Sequence, residues 1–411
     1  MTPLAAFAAA TLIWALVAGK LNRWSIVMPL VMATAGVICA GFVPDVVAHD
    51  AQSPAFKRVI EVSLAVILFI DATEISHEWL RKTAHLPLRL LGIALPVGVV
   101  LAWALGRLML DAVVPWLLAT LAVLLMVTDS AICSAVINDR RVPANLRNSL
   151  TVESGFNDGL ASPFVVLFLS AAVAETDHVG LGHAFGHAVK EVVIGIAVGV
   201  ALGWLASIAL AEARQRDWTW EPAERIGILA LALLSYSVAV AAHGGGFVAA
   251  FVTALTTGAV GSGLPQHTLR FAHDTGQLLS AAVWFTFGVL ARQTFAGGVS
   301  WSIVGYAVLV LTVARMVPVA LSMLGSRLPL RQVLLLGWLG PRGHATVMFG
   351  LVAIGALTTT AERSLVAKVV TVTVGLSLLL HGVTSRGLAS WVDPAAPRKP
   401  PTEPEPTASP I

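Results

Sequence analysis

The sequence predicts an all-α polytopic membrane protein, and three observations carry that expectation. Of 411 residues, 57% are hydrophobic and only 12% are charged, where a soluble domain carries about 25% charged residues. Mean hydropathy is +0.82. The apolar residues also fall in long runs rather than stripes. Leu90–Trp103, Val113–Val127 and Val192–Leu210 are hydrophobic all round, as lipid-facing helices are.

Taken in order, the runs make about thirteen spans. Pro3–Leu21 lacks a basic region ahead of its apolar run and has Lys20 behind it, so it reads as a spanning helix rather than a signal peptide. Ser25–Val43 and Val59–Ser76 follow, separated by Pro44–Phe56, which reads as interfacial. Pro87–Leu110 is the fourth span and Val113–Ile137 the fifth, the latter interrupted by Thr128-Asp129-Ser130. Asn145–Ala174 is the sixth and carries Glu153, Asn157 and Asp158. His183–Ala213, Ala223–Ala242, Phe247–Val260 and Thr268–Arg292 come next. The glycines of His243-Gly-Gly-Gly-Phe247 end one helix, start another and permit close packing. Val299–Leu324 holds Arg315, and Arg331–Leu357 is interrupted by Gly340-Pro341-Arg342-Gly343. Ser364–Leu388 is the last span. The Pro-rich stretch 391–411 reads as a disordered cytoplasmic tail.

Lys and Arg set the orientation. Loops after odd-numbered spans, together with the tail, hold more than twice as many as loops after even-numbered ones. The positive-inside rule then puts the N-terminus outside and the C-terminus in the cytoplasm. Cys39 and Cys133 both lie in apolar helices, which argues against a disulfide framework or a cysteine metal site.

Spans 5 and 12 carry the functional signal. Proline removes a helix hydrogen bond and glycine loosens the backbone. Non-helical backbone survives at membrane depth only where protein or water satisfies it. Two interrupted helices seven spans apart suggest two six-span repeats, 1–6 and 8–13, with span 7 as linker. An odd offset inverts one repeat relative to the other. That pattern points to a secondary transporter with its site where the broken helices cross.

The acids say what is carried. A carboxylate in hydrocarbon costs roughly 3 kcal/mol on insertion scales and more in simulations. Span 6 keeps two, Glu153 and Asp158. Glu153 and Asn157 share one helical face; Ser154 and Asp158 share the next. Hydroxyl, amide and carboxylate oxygens suit a hard monovalent cation, whereas thiol or imidazole clusters for transition metals are absent from this stretch. Asp129 and Thr128 of the span-5 break stand as neighbours of the two stripes.

Candidate buried anions are Asp71, Glu74, Asp129, Glu153 and Asp158; candidate buried cations are Arg315 and Arg342. Arginine keeps its proton, so each needs an anionic or dipolar partner. Once both are neutralised, some carboxylate remains. Burial disfavours its charged form, so it holds either a proton or a metal cation, but not both. This competition is the minimum machinery of cation/proton exchange. Plainer roles stand beside these. Glu153 with Arg315 also reads as a structural ion pair, and the bland alternative for Asp158 is a protonated acid bonding its own helix. Asp71 and Glu74 read as solvated at the end of span 3, His178, His183 and His187 as loop groups, and His243 and His344 as polar packing.

These residues carry a family resemblance. The run Thr128-Asp-Ser…Val142-Pro…Leu150-Thr-Val-Glu-Ser-Gly-Phe-Asn-Asp-Gly159 resembles the bacterial NhaP-type sodium/proton antiporters of the monovalent cation:proton antiporter family. His243-Gly-Gly-Gly-Phe-Val-Ala-Ala-Phe251, Arg315 and Gly337-Trp-Leu-Gly-Pro-Arg-Gly343 match it in the same order. The resemblance covers nearly the whole chain except the tail. It implies a core of spans 4–6 and 11–13, an interface domain of spans 1–3 and 8–10, and a homodimer. It implies that Asp158 carries the ion or proton, that Ser154 and Thr128 supply cation oxygens, and that Asp71, or else Glu74, is the third-span acid. It further implies that Glu153 pairs with Arg315 and that Asp129 and Arg342 compensate helix dipoles at the crossing. An Asn157-Asp158 pair, rather than two acids, resembles electroneutral members. One departure is Ser130, where the family usually has proline.

The expectation is therefore a multi-pass antiporter of a bacterial inner membrane serving pH homeostasis. It exchanges Na+, or K+ or Li+, for H+ with Na+ at Asp158, Ser154 and Thr128, and Asn157 close by. No cofactor, nucleic acid or enzymatic chemistry is expected, since no nucleophile–base pair or zinc motif appears. The rivals are an organic-anion symporter, in which Arg315 and Arg342 would bind a carboxylate, and a non-exchanging channel or sensor.

Overall fold

The computed structural model describes residues 3–24, 26–42, 54–73, 85–110, 113–137, 139, 141–176, 180–260 and 266–392. These residues are helical, with no strand among them. The elements are α1 (Pro3–Arg23), α2 (Met28–Phe42), α3 (Pro54–Thr73) and α4 (His85–Met109). Then come α5 (Pro115–Met126), a 3-10 turn (Ser130–Cys133), the short α6 (Ser134–Ile137) and α7 (Ala144–Thr176). The second half holds α8 (Leu181–Gln215), α9 (Glu221–Ala241), α10 (Gly246–Ala259) and α11 (Gln266–Ala296). It closes with α12 (Trp301–Leu311), α13 (Val313–Ser322), α14 (Leu330–Trp338), α15 (His344–Ala356) and α16 (Thr360–Val392). Among the described residues, 9 helices are long and apolar enough to cross a membrane; α2, α10 and α15 are shorter apolar helices.

Burial sorts the helices. The apolar stretch beginning at Pro115 is 78% buried, whereas α1 is 0% buried. The difference makes α5 a central post and α1 a lipid-facing staff, although both are apolar. Small residues allow the tightest contacts. A Cβ on Gly36 of α2 would lie 2.0 Å from the carbonyl oxygen of Phe285, and one on Gly288 of α11 would lie 1.9 Å from that of Ala33. Gly195, Gly199 and Gly203 of α8 likewise face the backbone of Gly245, Ala249 and Thr253 at the start of and along α10.

Backbone irregularity concentrates where the chain is buried. Between α5 and the 3-10 turn, residues 127–129 are extended, and between α14 and α15, residues 339–343 are non-helical. The two breaks meet: the Asp129 N–H donates to the carbonyl of Pro341 at 2.8 Å. Two further irregularities are not foreshadowed by the sequence analysis. Leu90–Ala94 is a π-helical turn in which the Leu95 N–H reaches Leu90. Pro96 follows it, with no N–H to donate and a ring that crowds the preceding turn. A second break falls at Thr312 between α12 and α13, where the threonine hydroxyl donates to the Val308 carbonyl at 2.6 Å.

The last helix runs to Val392, past the expected end at Leu388, so Trp391 is helical rather than the first tail residue. Arg331 holds it, with the guanidinium 5.7 Å from the Trp391 ring centre. The rest of the tail, Glu74 and most of the interval expected as interfacial lie outside the described residues; Pro54–Phe56 begin α3.

Candidate functional site

The site is built around the two breaks. α5 ends at Met126, leaving carbonyls unpaired, and α15 begins at His344, leaving N–H groups unpaired. Arg342 reaches the first end: its guanidinium donates to the Met126 carbonyl at 3.3 Å and lies 3.4 Å from the Met126 sulfur. Asp129 reaches the second. One carboxylate oxygen accepts from the His344 N–H at 3.1 Å, the other from the Ala131 N–H at 2.8 Å. Arg342 is fully buried, and its own N–H donates to the Ser377 hydroxyl of α16 at 2.7 Å.

The crossing needs two glycines. A Cβ on Gly343 would lie 1.9 Å from Oδ2 and 2.1 Å from Cβ of Asp129, and one on Gly340 would lie 2.4 Å from Nε of Arg315.

Glu153 and Arg315 pair across 162 residues of chain through two hydrogen bonds, Nη1 to Oε1 and Nη2 to Oε2, the second 2.9 Å. Arg315 also donates to the Leu336 carbonyl at 3.3 Å. Both side chains are buried. The pair ties α7 to α13 and α14.

Asn157, Ser154 and Thr128 form a second knot. The Asn157 amide donates to the Thr128 hydroxyl oxygen at 2.5 Å. The Ser154 hydroxyl donates to the Thr128 carbonyl at 3.1 Å and accepts from the Ser130 N–H at 3.0 Å. A proline at 130 would lack that N–H, so the serine here gives Ser154 a partner that proline withholds.

Asp158 faces Asp71 of α3 and His344 of α15. Each of the three offers one ligand atom, and these atoms lie within 4.8 Å of one another. Asp158 is 2% exposed, and its Oδ1 has no hydrogen-bond partner. A cavity of about 590 Å³ runs between α1, α2, α3, α7 and α11. Its lining includes the apolar Trp14, Val27 and Met28 together with Asp71, Asp129, Ser154 and His344. Asp158 does not line it. Glu74 lies outside the described residues.

A family model described as "Sodium/hydrogen exchanger, transmembrane" matches residues 7–391. The chain belongs to the sodium/hydrogen exchanger family. Two solved structures similar to this exchanger chain are of the sodium proton antiporter MjNhaP1 from Methanocaldococcus jannaschii. One, at pH 8, has a TM-score of 0.78 at 17% identity and covers 95% of this chain and 98% of that chain. The other, an electron-microscopy map, has a TM-score of 0.75 at 16% identity and covers 96% and 99%. At these identities the likeness shows the fold. No curated protein sequence matches the chain. Family membership makes this a multi-pass transporter for cation:proton antiport, not a catalyst, and such exchangers move ions without a cofactor.

His344 is the site residue of this exchanger that the sequence undervalues. It reads there as polar packing, yet its ring sits among three aspartates. The available signal is its place as the first residue after the Gly340–Gly343 break. Ser377 and His381 carry no such signal. They lie one turn apart on α16, and His381 meets the Trp338 carbonyl at 2.9 Å, closing the other side of the break.

Proposed function

We propose that the chain exchanges Na+, or K+ or Li+, for H+ one for one, with proton and cation competing for Asp158. The observation that carries this is the setting of Asp158. It is a buried carboxylate with an unpartnered oxygen, beside the crossing of two interrupted helices and against Asp71 and His344, which line a cavity. Such a group is stable as the protonated acid or when bound to a cation, and costly as a bare anion. Glu153 is paired with Arg315, and Asp129 with backbone N–H groups and His344.

The cation takes oxygens from Asp158, Ser154 and Thr128, with Asp71 and Asn157 close by. Asn157 contributes a neutral amide where a second acid would add charge, which supports an electroneutral cycle. Asp129 and Arg342 act on the helix ends, an anion at N–H groups and a cation at carbonyls, which favours both breaks electrostatically. The two arginines are spoken for, so neither is available to an organic carboxylate.

Thirteen spans in two inverted repeats fit the pattern of irregular backbone. The π turn at Leu90–Ala94 and the break at Thr312 fall in spans 4 and 11, and the extended breaks fall in spans 5 and 12. Each pair is seven spans apart. Spans 4–6 and 11–13 form the moving core, spans 1–3 and 8–10 the interface domain of a homodimer, and span 7 the linker. With the N-terminus outside a bacterial inner membrane, the α1–α2 turn, whose Ile26 and Val27 line the cavity, is cytoplasmic. The cavity is then an inward-facing path, and movement of the core exposes Asp158 to the other side.

The test is Asp158→Asn in everted vesicles, read by dequenching of a pH-sensitive dye on adding Na+, K+ or Li+. The expected result is loss of cation-driven proton movement with the protein still folded and dimeric. Full cation-dependent flux in the variant would remove Asp158 from the mechanism.

A further inference from the structure

His344 has no evident use in binding Na+. A hard monovalent ion takes oxygen ligands, whereas an imidazole nitrogen suits divalent zinc, cobalt or nickel. The ring is nonetheless held as a metal ligand is held. Its Nδ1 lies 2.7 Å from Oδ2 of Asp129, so donation to that carboxylate keeps the hydrogen on Nδ1 and presents the Nε2 lone pair. Nε2 has no hydrogen-bond partner. It lies 3.7 Å from Oδ2 of Asp71. That is too long for a hydrogen bond and close to the roughly 3.4 Å that separates two ligands of one tetrahedral ion with bonds of about 2.0–2.2 Å.

The third position is Asp158, a buried carboxylate whose Oδ1 has no hydrogen-bond partner. One ligand atom from each of the three residues lies within 4.8 Å of the other two, so closing them on one ion takes about 1 Å of side-chain rotation to reach tetrahedral spacing. The cavity of about 590 Å³ reaches both Asp71 and His344 and supplies an entry path.

We infer that Asp71, Asp158 and His344 form a binding site for a divalent transition-metal ion such as Zn2+ or Co2+, with Asp129 orienting the imidazole. Two carboxylates and a neutral imidazole balance the charge of the ion and leave a fourth position for water from the cavity. An ion seated there holds Asp158 and excludes the transported cation, so it blocks exchange. That consequence rests on the proposed carrier role of Asp158; the binding itself does not.

The experiment uses the purified full-length protein in detergent, stripped with EDTA. It is titrated with CoCl2, read by visible ligand-field absorption, and with ZnCl2, read by calorimetry. The expected result is one ion per chain, with affinity reduced about 10-fold or more by His344→Gln and likewise by Asp158→Asn. His187→Gln, which changes a histidine of α8 paired with Glu191 outside the site, keeps the wild-type affinity. Na+ raises the apparent Kd for Zn2+. Absence of binding to the monodisperse wild type, or wild-type affinity in either ligand variant, overturns the inference. The variants remove different ligands, so misfolding of one leaves the other decisive. Na+-driven proton flux is measured separately in EDTA. Flux without Co2+ binding refutes the metal site alone; Co2+ binding without flux supports the site and refutes the transport reading.

Discussion

Removing one partner of the Glu153–Arg315 pair should destabilise the protein far more than removing both. The side chains are 3% and 2% exposed, so neither is rehydrated when the other is lost. Arg315→Met takes two charged hydrogen bonds from Glu153 and one from the Leu336 carbonyl. A hydrogen bond to a charged group contributes about 1.5–3 kcal/mol, so the two to Glu153 together match the about 3–5 kcal/mol observed when a buried pair is broken. Glu153→Leu leaves the guanidinium unpaired and should cost a similar amount. The double variant Glu153→Leu with Arg315→Met leaves no buried charge there, and replacement of a whole buried pair by apolar groups is often near neutral. The assay is a double-mutant cycle on equilibrium unfolding in mixed micelles. With singles of about 3–5 kcal/mol each and a near-neutral double, it should return a coupling energy of about 6 kcal/mol or more, beyond the about 0.5–3 kcal/mol usual for contacting residues. Single variants costing under about 1 kcal/mol, or a double variant costing the sum of the singles, would refute the reasoning.

Two further substitutions probe the crossing. Gly343→Ala puts a Cβ 2.1 Å from the Cβ of Asp129, which no side-chain rotation relieves. It should cost about 1–3 kcal/mol or more through overpacking, seen as a lower melting temperature and lost exchange; a variant with wild-type melting and flux would contradict the close crossing. Ser130→Pro removes the N–H that Ser154 accepts and frees a lone pair on that hydroxyl. One hydrogen bond contributes about 0.5–1.5 kcal/mol, so the apparent Na+ affinity should rise a few-fold in the vesicle assay. An unchanged or weaker affinity would take Ser154 out of the cation's reach.

Much of the site could be read from local pattern. Helices at membrane depth avoid Pro, Gly and acids unless something satisfies them. Thr128–Ser130, Gly340–Gly343, Glu153 and Asp158 therefore stand out in an apolar chain. The π turn before Pro96 and the break at Thr312 do not, because a proline or threonine within a span is compatible with several local backbones. His344 is the clearest case. Histidine is common as polar packing, and nothing next to it in sequence shows that Asp71, 273 residues earlier, and Asp129 of α5's break lie against its ring.

The sequence by itself determined that this is an all-helical membrane protein with two interrupted helices and an acid-bearing span, because hydrophobic run length and backbone-breaking residues act locally. The tertiary structure alone decided who meets whom. It pairs Glu153 with Arg315 and lays the Asp129 break against Pro341. It leaves Asp158 with an unpartnered oxygen beside Asp71 and His344. Those contacts join residues more than eighty positions apart, and they depend on helix packing, which small residues at the crossings permit and no local pattern encodes.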